Sequence, residues 1–219
     1  VTDIEGTTTS IGFVHNVLFP YAAKRLPDFI REREDEPEIA GLLEDVRAQA
    51  GEPQADRERL IQVLLEWIAE DRKATPLKAL QGLVWKDGYE NGDFTGHVYA
   101  DTAPAFRRWR ERGAVLYIYS SGSVKAQQLL FGHSDAGDLR PLIAGYFDTA
   151  VGHKREADSY RTIAEQIGQP AKAILFLSDV TEELDAAASA GMRTLQLARD
   201  EPVRAGSHPL ARDFTEVTI

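Results

Sequence analysis

The sequence has no cysteine among its 219 residues. That absence excludes disulfide staples, thiolate catalysis and any zinc site built on cysteine. It suits a cytoplasmic setting without requiring one. No apolar run is long enough for a membrane helix and no signal-peptide core is present, so no membrane partner is expected. Basic clusters are missing as well. The 35 acidic residues outnumber the 25 basic ones, a formal net charge of −10 that repels a phosphate backbone, and no nucleic acid partner is expected. His15, His97, His133, His153 and His208 are scattered without paired metal-ligand spacing. Repeats and low-complexity segments are also lacking. What is left is an ordinary globular composition, 43% apolar and 27% charged, in a chain long enough for one domain with an insertion or two small ones.

From about Ala114 onward strand and helix patterns alternate. Val115 to Tyr119, Tyr146 to Val151, Ala173 to Leu177 and Arg193 to Leu197 read as buried strands. Between them Val124 to Phe131, Ala157 to Ile167 and Thr181 to Ala190 read as helices, the last two closed by Gly168 and Gly191. Apolar strands separated by helix-length segments imply an α/β fold, a doubly wound parallel sheet covered on both faces. Val1 to Asp3 would be its first strand. That strand is short, and a few residues are expected to be missing before it.

Between Ser10 and Tyr99 the pattern turns helical. Pro37 opens a helix ended by Gly51, Asp56 caps a second carrying Leu60, Val63, Leu64, Trp67 and Ile68, and Thr75-Pro76 opens a third running into Gly82. Trp85 to Gly92 reads as a loop, in which Trp85 and Tyr89 are candidates for touching a substrate, whereas Trp67 and Trp109 read as core. A helix over Ala103 to Arg112 leads back into the sheet, and Arg199 to Arg212 reads mostly as loop. The expected organisation is a catalytic core of residues 1–9 and 100–219, interrupted at 10–99 by a helical insertion.

In an open parallel sheet, ligands sit beyond the carboxyl ends of the strands. The sequence puts a functional group at each of four such ends. The first carries Asp3 and Glu5, followed by Gly6 and Thr7. A carboxylate there can attack phosphorus, and its neighbour can pass a proton to the leaving oxygen. The second carries Ser120-Ser121-Gly122-Ser123, hydroxyls and turn amides suited to phosphate oxygens. Lys154 follows the third and would offset charge on nucleophile and phosphate. Asp179 ends the fourth as the third carboxylate of a Mg²⁺ site. Singly, each has a plainer reading: the serines a turn and helix cap, Lys154 a solvated charge, Asp179 a cap, and Glu182 and Glu183 complements to a helix dipole. Their order on successive strand ends favours the functional one.

With these stations read, the chain resembles the haloacid-dehalogenase-like phosphatases, and within them the enolase-phosphatase (acireductone synthase) family of methionine salvage. The likeness rests on Thr2-Asp3-Ile4-Glu5-Gly6-Thr7-Thr8, Val17-Leu18-Phe19-Pro20-Tyr21-Ala22, Asp71-Arg72-Lys73 and Leu77 to Gly82. It continues through Tyr117 to Ser123, Leu130 to His133, Gly152-His153-Lys154 and Phe176 to Thr181. It implies an enzyme with one Mg²⁺ per subunit. The substrate would be the small phosphorylated diketone 2,3-diketo-5-methylthiopentyl-1-phosphate, enolised and then dephosphorylated to the acireductone. By the same likeness Asp3, Glu5 and Asp179 bind the metal, Ser120, Ser121 and Lys154 bind substrate, and the helical block is a cap. The expected protein is a cytoplasmic monomer. The alternative is a phosphatase of this fold for another small phosphomonoester. Haloacid dehalogenation fits less well, because Glu5 and Asp179 suit a cation that such chemistry does not use, and a non-catalytic phosphate binder would not need the attacking carboxylate.

Overall fold

A computed structural model describes residues 1–70, 72–199 and 206–219. Asp71 of the Asp71-Arg72-Lys73 run, and residues 200–205 of the expected loop, lie outside them. The chain divides into two compact units, one of Gly12–Phe94 and one of Val1–Ile11 with Thr95–Ile219.

The first unit is helical. After α1 (Ile11–Phe13) and a π-helical turn (Val14–Leu18) come α2 (Phe19–Arg33), α3 (Pro37–Ala50), α4 (Arg57–Ala69) and α5 (Thr75–Asn91). Asp56 caps α4 by accepting from the Arg59 N–H at 2.8 Å, and Gly51 closes α3 in the left-handed region at φ 71°. Ala22, Leu26, Phe29 and Ile30 recur at helical spacing on α2. They bury fully in one cluster with Leu43 and Val46 of α3, Leu60 and Leu64 of α4, and Leu80 and Val84 of α5. Each such Leu, Ile or Phe contributes about 1.5–3 kcal/mol by leaving water.

The expected loop from Trp85 to Gly92 is instead the second half of α5, which passes through Gly82 and Gly88 and stops at Gly92, φ 74°. Gly88 serves packing rather than turning. A Cβ there would meet Phe94 at 2.5 Å and Tyr21 at 2.8 Å. Tyr89 is buried against Phe94, and the Trp85 indole N–H donates to the Leu18 carbonyl at 2.9 Å.

The second unit is a parallel α/β sheet. Its strands are β1 (Leu116–Tyr119), β2 (Ile143–Phe147), β3 (Leu175–Ser178), β4 (Arg193–Leu197) and β5 (Leu210–Ala211). Between β1 and β3 runs the amino-terminal segment. Thr2 bridges both Ile118 and Leu177 in parallel, and the Asp3 N–H donates to the Leu177 carbonyl at 2.9 Å. The strand order is therefore β2, β1, residues 1–3, β3, β4, β5. α6 (Thr102–Glu111), α7 (Val124–Gly132), α8 (Ala157–Ile167) and α9 (Thr181–Ser189) supply the cover. Tyr119 packs with Tyr160, Ile163 and Leu184, while Ile118, on the opposite face by strand alternation, is equally buried. Residues 95–99 bond within this unit: the Gly96 N–H to the His133 carbonyl at 2.8 Å, the Tyr99 N–H to the Thr8 carbonyl at 2.9 Å.

Two strand expectations shift. β2 starts three residues and ends four residues earlier than expected, because Asp148 ends it. Its Oδ1 accepts from the Ala150 N–H at 2.9 Å and turns Thr149–Val151 into a 3₁₀ turn. The short β5 falls in what the sequence presents as loop, its bonds made to β4.

Candidate active site

Asp3 leaves the sheet between β1 and β3, 4% exposed. Its Oδ1 accepts from the Ile4 N–H at 2.7 Å and lies 2.6 Å from the Lys154 ammonium. Oδ2 carries only a long 3.5 Å contact from the Ser178 hydroxyl among the described residues. The following turn is tight: the Thr7, Thr8 and Thr9 N–H groups converge on the Ile4 carbonyl, and the Gly6 N–H donates to Thr9 at 2.7 Å. Gly6 is required twice over. Its φ is 72°, and a Cβ would stand 2.2 Å from Asp179 Oδ2. Glu5 is half-buried in this turn, its backbone bridged to Thr9.

Lys154 comes after β2 and is 7% exposed. Its ammonium joins Asp3 to Glu183, 2.7 Å away, and lies 5.7 Å from the Tyr119 ring centre. Burial alone would lower its pKa, but the two carboxylates outweigh that and hold it above the usual lysine value. The backbone carrying it is fixed by hydroxyls: Tyr119 donates to the Gly152 carbonyl at 3.0 Å, Ser159 to His153 at 2.8 Å and Tyr160 to Lys154 at 2.7 Å. Its neighbour His153 is exposed.

Asp179 follows β3. The helix-capping alternative fails, because Val180 holds the cap position of α9 and Asp179 turns to Thr7 instead. The Thr7 hydroxyl accepts from the Asp179 N–H at 3.1 Å and donates to its Oδ1 at 3.3 Å. Burial, then the charge of Asp3, pushes the Asp179 carboxyl up to about 6.

Sequence reasoning missed Glu183, reading it as a dipole complement. It is 8% exposed, accepts from the Ser178 hydroxyl at 3.0 Å and is pushed above the usual carboxylate range by burial and by Asp3. A signal existed: Glu183 stands beside Leu184 and one turn before Ala187, on the face of α9 that is buried.

The serines divide. Ser120 is buried and its hydroxyl accepts from the Gly122 N–H at 3.2 Å, while Ser121 is exposed. Ser123 is a helix cap, accepting from the Ala126 N–H at 3.3 Å. Gln127 braces this turn by donating to the Gly122 and Phe147 carbonyls at 2.7 and 2.8 Å.

Among the described residues, buried Asp3 and Glu183 and half-buried Asp179 outnumber Lys154, and the charge of Asp3 adds to burial in raising Asp179. An all-oxygen, negatively overcharged donor set fits a hard divalent cation. Among the described residues no three His, Asp or Glu side chains form by themselves a group that could hold a metal ion. Asp3, Glu5 and Asp179 would therefore not enclose Mg²⁺ alone. Such an ion commonly rests on one or two carboxylates and completes its shell with water and phosphate oxygen.

The family model for haloacid dehalogenase-like hydrolases matches residues 1–191. An enolase-phosphatase E1 from Pseudomonas aeruginosa (strain UCBPP-PA14) is 60% identical over all of this chain and 97% of its own length. The chain belongs to the enolase-phosphatase family of haloacid dehalogenase-like hydrolases. The enolase-phosphatase E1 of Erwinia tasmaniensis is 57% identical, over 99% of this chain and 95% of its own. Among solved structures the UTR4 protein of Saccharomyces cerevisiae superimposes with a TM-score of 0.85 at 36% identity, covering 99% of this chain and 97% of that one. CbbY from Rhodobacter sphaeroides, at 17% identity over 98% of this chain and 93% of its own, TM-score 0.60, shares the fold alone. The phosphatase chemistry of this family is the one for which a buried aspartate beside a lysine at a strand end is suited.

Proposed function

We propose that this chain is a Mg²⁺-dependent enolase-phosphatase that converts 2,3-diketo-5-methylthiopentyl-1-phosphate to the acireductone and inorganic phosphate. The observation that carries the reading is Asp3, buried at the carboxyl end of the sheet with Oδ1 bonded to Ile4 and Lys154 and Oδ2 left nearly free. Oδ2 attacks phosphorus, the bond to the substrate oxygen breaks, and Glu5 gives that oxygen its proton. Water then attacks the aspartyl-phosphate, returns a proton to Glu5 and releases phosphate from Asp3. Lys154 compensates charge on both carboxylate and phosphoryl group. Ser120 and Ser121, with the turn amides, bind phosphate oxygens.

Asp3, Asp179 and Glu5 would hold the ion, one per chain. Mg²⁺ bound there would supply Lewis-acid polarisation of the substrate's oxygens. The Gly12–Phe94 unit takes the role of cap. No helix among the described residues is long and apolar enough to cross a membrane, and we take the working form to be a monomer acting in the cytoplasm.

The test supplies the phosphorylated diketone, or its desmethylthio analogue, and follows enol absorbance and free phosphate together, with and without Mg²⁺. Both signals are expected only with the metal. Asp3→Asn should lose phosphate release by about 1000-fold or more while keeping its fold. Phosphate release from a simple sugar phosphate, with none from the diketone, would overturn the substrate assignment.

A further inference from the structure

A buried arginine outside the motifs reaches the Thr7 turn from behind. Arg199 lies just past β4, its side chain 5% exposed. Its Nε donates to the Thr7 carbonyl at 3.0 Å, and its Nη1 lies 2.7 and 2.8 Å from the two oxygens of Asp101. The guanidinium is stacked between two rings, 4.4 Å from the centre of Tyr99 and 4.5 Å from that of Phe214. Asp101 is fixed in turn, accepting from the Phe214 N–H at 2.7 Å. The next carbonyl of the turn, Thr8, accepts from the Tyr99 N–H at 2.9 Å and the Thr102 hydroxyl at 3.1 Å.

The turn is thus gripped on its outer side at two consecutive carbonyls, while the Thr7 hydroxyl meets both the N–H and the carboxylate of Asp179. We propose that Arg199 is a positioning residue for the metal-binding carboxylates, acting through Thr7 on Asp179. This rests on the Mg²⁺ reading above. A buried charge pair is a poor way to gain stability alone, since an apolar contact of like volume does as well. A planar fork has a use here that no apolar residue and no lysine can meet. One guanidinium satisfies Thr7 through Nε and Asp101 through Nη1 at fixed angles while stacking between rings, whereas an ammonium offers a single nitrogen. Partners of this kind, one step removed from the ion, alter metal affinity about 10- to 100-fold when lost.

The test measures Mn²⁺ binding to the full chain by the electron paramagnetic resonance of the free ion, beside thermal unfolding. Arg199→Lys should retain the charge opposite Asp101 and fold, yet bind Mn²⁺ about 10-fold more weakly or worse. Thr7→Val should weaken it similarly, and the double variant should be little worse than the worse single one, since both cut one chain of contacts. If Arg199→Lys does not fold, Arg199→Gln takes its place in that cycle. Phe106→Leu, in the aromatic cluster beside Phe214 but away from the turn, should lower the unfolding midpoint and leave the Mn²⁺ affinity native. Native affinity in Arg199→Lys, or effects that simply add, would overturn this inference alone. No Mn²⁺ uptake by the native chain would overturn the metal reading and this inference with it.

Discussion

The helical unit and the α/β unit both use ion pairs of the same length, and burial makes them different objects. In the helical unit Arg31 meets Glu58 and Arg59 meets Glu52, each at 2.7 Å, with side chains 36–50% exposed. In the α/β unit Lys154 meets Asp3 at 2.6 Å and Arg199 meets Asp101 at 2.7 Å, with exposures from 5 to 15%. Water solvates the first pairs nearly as well as their partners do, so they chiefly keep the outer helix faces polar. The second pairs have lost that solvation, and each charge there depends on its neighbour. Distance alone does not separate the two; what would remain if one partner were removed does.

The largest contrast comes from removing the buried cation. Lys154→Met leaves Asp3 and Glu183 facing each other without compensation, and urea unfolding should show a loss of about 3–5 kcal/mol, with phosphate release abolished. Glu183→Gln keeps donors and acceptors towards Lys154 and Ser178 while removing one of two repelling charges. It should stay within about 1 kcal/mol of the native chain. A Lys154→Met protein as stable as native would show that the cluster is wet enough to need no counterion.

Acidity sharpens the same contrast. Asp179 holds its proton up to about 6, because of burial and then Asp3, against 3.8 for an ordinary aspartate. The folded chain therefore binds more protons than the unfolded one between those values. This contribution to stability is fully present below about 4 and is lost as pH rises through about 6, at most about 3 kcal/mol and less to the extent that water reaches this half-buried group. Mg²⁺ held by Asp179, as proposed above, would compete with that proton. The rise in unfolding midpoint on adding millimolar Mg²⁺ should be near zero at pH 5 and grow as pH passes 6. An equal rise at pH 5 and pH 8 would place the ion elsewhere.

Two glycines of α5 separate packing from conformation. Gly88→Ala drives a methyl into Phe94 and Tyr21 and should cost about 1–3 kcal/mol by thermal unfolding. Gly82 has nothing within 4 Å of an added Cβ, so Gly82→Ala should stabilise by up to about 1 kcal/mol through helix propensity. The same pair shows where the sequence misleads. Glycines ending an apolar stretch read as breakers, and Trp85 to Gly92 accordingly reads as loop; nothing local tells that Gly88 is spared a side chain for the sake of Tyr21. Boundaries carried by local chemistry were legible, such as Asp56 capping α4 and Gly168 ending α8 at φ 72°. The end of β2 was not, since Asp148 stops it by a side-chain bond that an apolar run conceals.

In the site, the sequence places Asp3, Lys154 and Asp179 at successive strand ends, and the structure puts Lys154 against Asp3 and the charge of Asp3 upon Asp179. Glu183 and Arg199 escaped because each matters through a partner distant in sequence. The carboxylate of Glu183 passes for helix-dipole chemistry unless one asks which face of α9 is buried. Arg199 belongs to no motif, and only the fold reveals that it grips Thr7.

The smallest expected effect completes the comparison from the exposed side. Arg59 meets Glu52 through Nε and Nη2 at 2.8 and 2.7 Å and Glu66 through Nη1 at 3.1 Å, a fuller fork than that of Arg199, which reaches both Asp101 oxygens through Nη1. Arg59→Gln should nevertheless leave the unfolding midpoint in ordinary salt unchanged within error, because water replaces the lost donor and frees a long side chain. Raising ionic strength should erase whatever difference remains at low salt. A clear loss of stability that survives high salt would mean that these helix-surface pairs act as a coupled network. The line drawn here between exposed and buried pairs would then have to move outward, to include the charged faces of α2, α3 and α4.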